Sequence, residues 1–426
     1  MAKKSKLQSV SGMHDILPID QNYYARIYEV VSNIAGFYGF GKIDTPAIEY
    51  TELFDKGIGS STDIVDKEMY SFKTKGGDMV SLRPEWTAPV VRAYIEHGMY
   101  ALPQPLKLWY SGFCWRHERP QEGRYRQFTQ FGFEVFGEAS PVIDAQIIQI
   151  SYNILKELKL KDITVEINSI GDSNCRPYYK KLLSNYLKSR ESSLCATCKK
   201  RAKENVLRVL DCKDEKCQPI KTEAPQIIDH LCDGCHSHFK EVLEFLDEIE
   251  VPYNLNPYLV RGLDYYTKTV FEINSNKSEE KSLSLAAGGR YDRLVKMLGG
   301  RDTFACGVGF GIERIISLMK SQNIEPAKPK EVDVFLAQLG SLAKRKSLKL
   351  LEEFRKAKIG ISESFGRDSL KVQLNRANKL EAKYALILGQ KEALDDVVII
   401  RDMESGKQSI VKTDKAVSDV RKKLKK

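Results

Sequence analysis

Four arginines within a short stretch are the side chains of this sequence best suited to chemistry. Arg116, Arg119, Arg124 and Arg126 lie in or beside a polar loop that turns at residues 121–123, between two runs rich in Tyr, Phe, Thr and Val. Such runs around a Gly-containing loop predict an antiparallel β-hairpin. Because arginine binds phosphate and carboxylate groups bidentately, the loop could hold a phosphorylated substrate. The same composition also fits an edge hairpin whose basic loop is only solvated.

Two polar side chains on the returning run, Gln130 and Glu134, are four residues apart. In a strand this even spacing puts both side chains on one face of the sheet. An arginine loop at one end and a Gln/Glu pair at the other indicate a surface that holds a phosphorylated group next to a polar or cationic group.

The sequence Arg116-x-Glu118-Arg119 and the run after it resemble the second signature motif of class II aminoacyl-tRNA synthetases, and in detail that of the histidyl-tRNA synthetase family. The resemblance implies that Arg116, Glu118 and Arg124 bind ATP. It also assigns Arg116, Gln130 and Glu134 to the histidine site.

A second block, residues 82–88, ends a predicted hairpin strand and opens a predicted helix that runs to about residue 97. An acid such as Glu85 at a helix start is ordinarily a favourable partner of the helix dipole. In histidyl-tRNA synthetases the matching Glu and Thr contact the α-amino group of the substrate, so the resemblance assigns Glu85, Trp86 and Thr87 to the histidine site. The family usually has Gly where this chain has Trp86, whose ring could narrow the pocket or turn away from it.

Residues 259–266 resemble a motif peculiar to the histidyl-tRNA synthetases. The resemblance places Arg261 at the α-phosphate and lets Tyr265 and Tyr266 line the histidine pocket. Adjacent residues of a strand point to opposite faces, so we expect at most one of the two tyrosines to face the pocket directly. Residues 286–292 form a further block similar to the family, whose glycines would let the backbone approach the ligand closely.

The glycines of residues 306–314 invite comparison with a dinucleotide-binding fold. That fold is excluded because no third glycine falls at the required place and no βαβ unit surrounds the stretch. The stretch resembles the third class II motif instead, in which a strand leads into a helix that presents Arg314 to the phosphates of ATP.

The resemblance implies a two-step reaction, in which the histidine carboxylate attacks the α-phosphate of ATP and the 3′ end of tRNA(His) then takes the histidine from the adenylate. Such chemistry needs positioning and charge neutralisation. Arg116, Arg261 and Arg314 would therefore be the catalytic residues, with Mg²⁺ sharing the charge. Glu134, Gln130 and a tyrosine hydroxyl could satisfy both ring nitrogens of histidine. An analogue without those nitrogens would leave buried polar groups unpaired, so no editing domain is expected.

Six of the nine cysteines form three close pairs in the Lys- and Cys-rich residues 172–252. Paired Cys-x2-Cys units in a reducing compartment indicate zinc before disulfides. Cys195, Cys198, Cys232 and Cys235 are the expected ligands of a structural zinc, and the third pair, Cys212 and Cys217, would be surplus or provide alternative ligands. Reduced, partly buried thiols without a metal are the alternative. Catalytic zinc is not expected, because nothing in the sequence ties this segment to the motifs above.

The motifs require a framework, and the patterning predicts an α+β fold. Residues 1–328 would form a class II catalytic domain, an antiparallel sheet flanked by helices, with the Cys-rich helical insertion at about 172–252. After a Pro-containing linker at 325–330, residues 329–426 would form an α/β domain with a mixed sheet that resembles the anticodon-binding domain of class II synthetases. The predicted helices are 20–38, 141–158, 341–358 and 368–380, and the predicted strands are 42–48, 69–73, 79–83, 163–169, 332–338, 384–388 and 396–401.

The remaining expectations concern partners and location. No apolar run approaches the length of a membrane helix and no signal peptide is recognisable, so we expect a cytoplasmic protein without a membrane partner. Residues 331–426 hold 22 Lys and Arg against 14 Asp and Glu, which favours a polyanionic partner, though a solvated basic surface would look the same. The resemblance implies L-histidine, ATP and tRNA(His) as partners, and a homodimer through the segment around Pro46. One alternative is a catalytically silent, synthetase-like regulatory subunit, against which stand the intact block at residues 259–266 and the C-terminal domain. The other is a tRNA-binding protein that keeps the fold as a scaffold, and the presence of Arg116, Arg261 and Arg314 argues against it.

Overall fold

The computed structural model describes residues 7–59, 62–121, 123–275, 284–326, 332–366 and 369–425. The chain forms two compact units, Met1–Ala327 and Lys328–Lys426. In the part of the chain that the structure describes, none of the helices combines the length and the apolar character needed to cross a membrane.

The strands of the first unit form an eight-stranded sheet in the order β1-β5-β6-β11-β10-β9-β7-β8 and a small sheet in the order β2-β4-β3. The large sheet is antiparallel except where β1 pairs with β5 and β7 with β8. These strands are β1 (Gly41–Lys42), β2 (Ile48–Tyr50), β3 (Ser71–Lys73), β4 (Met79–Leu82), β5 (Leu106–Trp115), β6 (Gln127–Phe136), β7 (Ile163–Ser169), β8 (Tyr253–Leu255), β9 (Thr267–Ser275), β10 (Ser284–Arg290) and β11 (Ala305–Gly311).

Helices cover both faces of the large sheet. The helices of the first unit are α1 (Pro18–Phe37), α2 (Thr51–Phe54), α3 (Thr87–Glu96), α4 (Val142–Glu157), α5 (Arg176–Lys188), α6 (Ala196–Glu204), α7 (Gln218–Thr222), α8 (Asp233–Glu248), α9 (Leu294–Met297) and α10 (Ile312–Ser321).

Side chains along β6 point alternately to the two faces of the large sheet. Phe131, Phe133 and Val135 belong to a core that α1, α4, α8 and α10 complete. Phe136 belongs to a second core, which includes α3, the rings of Tyr265 and Tyr266 and the apolar residues of the insertion. The odd-numbered residues of β6 thus secure the sheet from one side and leave the other side to the polar residues between them.

Residues 172–252 leave the sheet after β7 and return to it through β8. They contain α5 to α8 and several 3₁₀ turns, but no strand. Their apolar side chains pack in the same cluster as the tyrosines of residues 265 and 266, which ties this segment to the sheet more closely than its sequence indicated.

One predicted strand is wrong. The sequence indicated a strand from Lys42 to Ile48 that Pro46 interrupts, but β1 ends at Lys42 and β2 begins at Ile48. Pro46 lacks the N–H that a strand ladder needs. The segment is held by Arg83 instead, whose Nη1 donates to the carbonyl oxygens of Thr45 at 2.7 Å and Pro46 at 3.3 Å.

The second unit is built around a five-stranded mixed sheet in the order β13-β12-β14-β15-β16. β12 runs parallel to both of its neighbours, and the other pairs are antiparallel. Its elements are β12 (Val334–Gln338), α11 (Ser341–Lys356), β13 (Ile361–Glu363), α12 (Leu370–Lys379), β14 (Tyr384–Leu388), α13 (Gln390–Leu394), β15 (Val397–Asp402), β16 (Gln408–Lys412) and α14 (Ala416–Leu424).

Together the two sheets confirm the predicted α+β fold class, with an antiparallel-dominated sheet flanked by helices and a mixed C-terminal sheet. The predicted linker at 325–330 lies largely outside the described residues, which stop at Pro326 and resume at Val332.

Candidate active site

The predicted hairpin is the centre of the large sheet. β5 and β6 pair antiparallel over ten positions, from Leu106 opposite Phe136 to Trp115 opposite Gln127. In the connecting loop, Gln121 and Arg124 exchange two backbone hydrogen bonds of 3.2 and 2.9 Å. β6 also pairs with β11, so the hairpin is an interior part of the sheet and not an edge.

Three of the predicted arginines surround one carboxylate. Arg116 and Arg124 approach Glu118 to 3.7 and 3.8 Å, and Arg116 Nε donates to the Pro84 carbonyl at 2.8 Å. Arg314, in the first turn of α10, donates to the carbonyls of Gly123 and Ser284 at 3.1 and 2.8 Å.

Charge in this group is unbalanced. Burial lowers the pKa of Arg314, Arg124 and Arg116 lower it further, and Glu118 opposes them. The guanidinium groups of Arg116, Arg124 and Arg314 outnumber the nearby carboxyl groups of Glu118 and Glu68, which leaves net positive charge that an anionic ligand would neutralise. We call Arg116, Glu118, Arg124 and Arg314 the arginine cluster.

Glu134 is the centre of a second polar group, and its side chain is only 1% exposed. Its Oε1 accepts hydrogen bonds from Thr87 Oγ1 at 2.8 Å and from the Tyr110 hydroxyl at 3.1 Å. Its Oε2 accepts one from the Tyr291 hydroxyl at 2.5 Å. We call Thr87, Tyr110, Glu134 and Tyr291 the Glu134 pocket.

Burial controls the protonation of this pocket. Removal from water raises the pKa of Glu134 to about 8, although the hydrogen bonds from Tyr291 and Thr87 oppose the rise. Burial likewise raises the pKa of Glu85, whose negative charge raises that of Glu134. The pocket therefore holds a largely protonated Glu134 at neutral pH.

Glycines make room for the Glu134 pocket on the sheet. Gly132 opposes Tyr110, and a Cβ on it would lie 2.3 Å from the Tyr110 hydroxyl. Gly307 opposes Glu134 from β11, and a Cβ there would lie 1.6 Å from Glu134 Oε2. Any larger residue at these two positions would expel the polar side chains from the sheet surface.

Gln130 lies on the same face as Glu134, as predicted, but it belongs to a different part of the site. It pairs with Gly112 and Gly311 and accepts a hydrogen bond from the Cys114 thiol at 3.4 Å. Residues four apart along a strand are separated by about 13 Å, so Gln130 and Glu134 cannot both contact the same small ring.

Glu85 and Trp86, which directly precede α3, make different contacts. The carboxylate of Glu85 accepts the backbone N–H groups of Thr87 at 2.7 Å and Ala88 at 2.8 Å, and so it caps the helix. The Trp86 ring is buried between the guanidinium of Arg83, 3.5 Å from its centroid, and the parallel ring of Tyr110 at 4.8 Å. Trp86 thus supports Tyr110 from beside the pocket.

The expectation that at most one of Tyr265 and Tyr266 faces the pocket assumed a strand, which the structure does not have at these residues. The two residues lie in a turn before β9, not in a strand, and so the alternation of a strand does not apply. Their ring centroids are 4.6 Å apart, both rings are buried, and the carboxylates of Glu85 and Glu134 raise the pKa of each.

Arg261 precedes this turn and forms an ion pair with Glu272 of β9. Its guanidinium lies 5.6 Å from the Tyr266 ring centroid. The negative charge of Glu272 opposes the lowering of the Arg314 pKa that burial causes, so the Arg261–Glu272 pair is electrostatically coupled to the arginine cluster.

Sequence reasoning did not assign Tyr110 and Tyr291. Tyr291 lies in the block at residues 286–292, where only the glycines were singled out. Tyr110 could have been found from the hairpin register, because it lies opposite Gly132, midway between Gln130 and Glu134.

The structure does not bring the four expected zinc ligands together as one set. Cys195 and Cys198 lie with Cys212 and Cys217, whereas Cys232 and Cys235 lie with Asp172 and Cys175. In each group the ligand atoms are all within 4.8 Å of one another. The chain doubles back within 172–252, so cysteine spacing alone could not reveal the pairing.

The first unit has the catalytic fold of a class II aminoacyl-tRNA synthetase. Its antiparallel sheet presents arginines beside a polar pocket, from the central β5–β6 hairpin and from the start of α10, which follows β11. The model of the family described as "Histidyl-tRNA synthetase" matches residues 12–315, and that of "Anticodon binding domain" matches residues 333–423. The chain belongs to the histidyl-tRNA synthetase family.

Relatives named histidine–tRNA ligase are similar to this chain over almost its full length. A protein named histidine–tRNA ligase from Dehalococcoides mccartyi (strain ATCC BAA-2266 / KCTC 15142 / 195) is 43% identical over 417 residues, which covers 98% of this chain and all of the relative. Another of that name, from Caldicellulosiruptor saccharolyticus, is 42% identical over 420 residues, with coverage of 98% and 100%.

Two solved structures are also similar. The apo histidyl-tRNA synthetase of S. aureus gives a TM-score of 0.81 at 31% identity and covers 98% of this chain and 100% of its own. An ATP phosphoribosyltransferase regulatory subunit/histidyl-tRNA synthetase from Bacillus halodurans gives 0.63 at 20% identity, covers 91% of this chain and 98% of its own, and is similar in fold alone.

Proposed function

We infer that the chain is a histidine–tRNA ligase, and we propose that the Glu134 pocket and the arginine cluster are its histidine and ATP sites. The enzyme joins L-histidine to tRNA(His) at the expense of ATP, which becomes AMP and pyrophosphate. Family membership and relatives at 43% identity over nearly the whole length support the activity. A buried carboxylate ringed by hydroxyls beside a cationic cluster is the observation that supports the assignment of the sites.

The imidazole ring of histidine binds to Glu134. A carboxylate has about four acceptor positions, and the hydroxyls of Thr87, Tyr110 and Tyr291 fill three of them. The remaining position accepts a ring N–H, and that bond favours the ionised carboxylate. Tyr265 and Tyr266 cover the ring, since both are buried beside the pocket.

The main-chain atoms of histidine lie toward Gln130 and the arginines. Gln130 is too far along β6 to share the ring with Glu134, so it binds the α-amino or carboxylate end. Glu85 and Thr87, at the start of α3, serve the α-amino group. Trp86 acts indirectly, because its ring holds Tyr110 in place.

ATP binds at the arginine cluster. Arg116 and Arg261 hold the α-phosphate and the attacking carboxylate, while Arg124 and Arg314 hold the terminal phosphates. Mg²⁺ takes oxygen ligands and usually binds through substrate phosphates and water with one or two carboxylates. Glu118 and Glu272 form ion pairs with these arginines, and Glu68 interacts with Arg116 and Arg124, so these carboxylates fit that role.

The protein's part in the chemistry is electrostatic. The histidine carboxylate forms a bond to the α-phosphorus as the bond to pyrophosphate breaks, and the guanidinium groups hold both reactants and neutralise the charge on the phosphoryl oxygens. The terminal ribose hydroxyl of tRNA then attacks the carbonyl of the adenylate and releases AMP. Selectivity follows from the pocket, because an amino acid without ring nitrogens leaves Glu134 and its hydroxyls unpaired.

The second unit is the tRNA-reading part. Its match to the anticodon-binding model and the basic excess of residues 331–426 support this role. A homodimer built through the segment around Pro46, and a cytoplasmic location, complete the proposal.

The insertion holds a structural zinc on Cys195, Cys198, Cys212 and Cys217. Backbone N–H groups donate to three of these sulfurs: Cys198 N to Cys195 Sγ at 3.4 Å, Cys195 N to Cys217 Sγ at 3.3 Å and Asp214 N to Cys212 Sγ at 3.4 Å. Such bonds stabilise thiolates, the form that binds zinc.

Histidine-dependent ATP–pyrophosphate exchange tests the activity. We expect exchange with histidine and none with the other amino acids, and we expect Arg314→Ala to abolish it in protein that remains folded. A folded protein that exchanges with no amino acid in the presence of Mg²⁺ would favour the regulatory subunit, to which the chain is similar in fold.

A further inference from the structure

A second group of metal-ligand side chains lies apart from the four cysteines just described. Asp172, Cys175, Cys232 and Cys235 offer four ligand atoms within 4.8 Å of one another. Tetrahedral zinc with bonds of about 2.3 Å holds its ligands about 3.8 Å apart. The four atoms are thus close enough to take a zinc ion with small side-chain movements.

The local backbone brings these residues together. Gly171 has φ of +61°, and a Cβ on it would lie 2.5 Å from Cys175 Sγ, so only glycine lets this sulfur fold back over the chain. Asp172 Oδ1 accepts the N–H of Asn174 at 2.8 Å and lies 3.9 Å from Cys175 Sγ.

Three of the ligands lie at the N-terminal ends of helices. Cys175 immediately precedes α5, Cys232 immediately precedes α8, and Cys235 lies in the first turn of α8. The N-terminus of a helix stabilises negative charge. Three thiolates and a carboxylate packed together would repel one another, and a divalent cation would remove that repulsion.

The site is linked to the histidine pocket through the residue after Cys175. Arg176 donates from Nη2 to the carbonyl oxygens of Gly171 and Tyr266, both at 2.7 Å, and from Nε to that of Ile170 at 3.0 Å. Arg176 also lines a cavity of about 110 Å³ together with Arg261. A ligand residue and the backbone of a pocket tyrosine are therefore joined by a single side chain.

We propose that Asp172, Cys175, Cys232 and Cys235 bind a second zinc ion, and that this zinc fixes the start of α5 so that Arg176 holds Tyr266 in the histidine pocket. The linkage rests on the proposed role of Tyr266, whereas the metal site stands on its own geometry. Arg176 is a positioning residue, since it acts on the substrate through Tyr266. The first zinc is linked to the catalytic unit by a different route, because Arg201 of α6 donates to Asp63 at 3.1 Å and Asn205, directly after α6, donates to Asp264 at 2.8 Å.

The first test is metal content in the full chain by elemental analysis, with wild type expected to hold two zinc ions. Cys232→Ser, chosen because Cys232 is only half-buried, should hold one, and the matched variant Cys195→Ser, also half-buried, should hold one. The site would be overturned if the wild-type protein held one zinc ion and Cys232→Ser still held it. Iron in place of zinc would also overturn the site. If the wild-type protein held one zinc ion and only Cys232→Ser lost it, the result would support this site. The same result would contradict a zinc on Cys195, Cys198, Cys212 and Cys217.

The second test separates positioning from general structure. In pyrophosphate exchange, Cys232→Ser should raise the KM for histidine about tenfold, since small misplacements of binding groups have effects of this order, with KM for ATP within about twofold. Arg176→Ala should raise the histidine KM similarly while both zinc ions remain bound, and Arg176→Lys should restore part of the loss. An unchanged histidine KM in Arg176→Ala would overturn the linkage. Exchange by the wild-type protein establishes the proposed activity first, so a failure of the linkage is distinguished from a failure of the activity.

Discussion

Two buried polar clusters in this protein are put together in opposite ways. In the Glu134 pocket, one carboxylate receives hydroxyl hydrogen bonds on both of its oxygens. In the cluster of Cys195, Cys198, Cys212 and Cys217, four sulfurs face one another, with Sγ of Cys195 and Cys212 3.9 Å apart, and receive only weak N–H bonds from the backbone.

The supporting structure differs in the same way. Two members of the Glu134 pocket, Tyr110 and Glu134, lie on the paired strands β5 and β6, so strand register fixes their positions, while Tyr291 directly follows β10 and Thr87 starts α3. The cysteine cluster lies among short helices and 3₁₀ turns with no strand. The Glu134 pocket thus has its hydrogen-bond partners within the fold, whereas the four sulfurs of the cysteine cluster face one another, which is the arrangement that the proposed zinc would stabilise.

The largest effect is expected from removing one thiol of the cysteine cluster. Structural zinc contributes on the order of 10 kcal/mol to small domains, so Cys198→Ser should lower local stability by several kcal/mol. Hydrogen exchange should show lost protection over about residues 191–224 and little change in β5 and β6. Cys306→Ser, a buried thiol of β11 outside both metal groups, is the control and should keep the protection of the insertion. Equal protection of the insertion in both variants would refute the comparison.

The next effect concerns the proton of Glu134. With an ordinary pKa of 4.5 and a folded pKa of about 8, the unfolded chain ionises this group first as pH rises. The folded protein therefore loses stability between pH 4.5 and 8, and Glu134→Gln escapes this loss. Above pH 8 the variant should be more stable than wild type by roughly 2–5 kcal/mol, and near pH 4.5 the two should match. Thermal unfolding across this range measures the difference, and a constant difference at all pH values would contradict the buried, protonated carboxyl.

The smallest effect is expected from one hydroxyl of the pocket. Tyr291→Phe removes a single hydrogen bond to Glu134, worth about 1–2 kcal/mol, and should raise the KM for histidine about tenfold with KM for ATP little changed. Tyr186→Phe, which removes a tyrosine hydrogen bond to the Ile220 carbonyl inside the insertion, should leave both KM values unchanged. If the two variants behave alike, Tyr291 has no special role.

Much of the sheet-borne site could be predicted from the sequence, because local patterns determine it. The alternation around residues 121–123 predicts the β5–β6 hairpin, and even spacing puts Gln130 and Glu134 on one face, as the structure confirms. The strand-to-helix pattern at residues 306–314 likewise predicts the position of Arg314 at the start of α10.

What could not be predicted depends on contacts between distant segments. Tyr110 and Tyr291 meet at Glu134 only through strand order, and the turn at Tyr265 and Tyr266 has no local signal that separates it from a strand. The grouping of the cysteines could not be predicted for the same reason, since Cys175 and Cys235 are brought together by two helices that start far apart in the chain.

The most direct test of the central claim compares the binding of the two small substrates by Glu134→Ala. Histidine and ATP affinities should be measured separately by calorimetry in wild type and variant. We predict that histidine affinity falls at least 100-fold, since three hydroxyls and the ring lose their common partner, a cost of about 3 kcal/mol or more, while ATP affinity changes less than about threefold. Equal losses for histidine and ATP would contradict the assignment of this pocket to the imidazole ring.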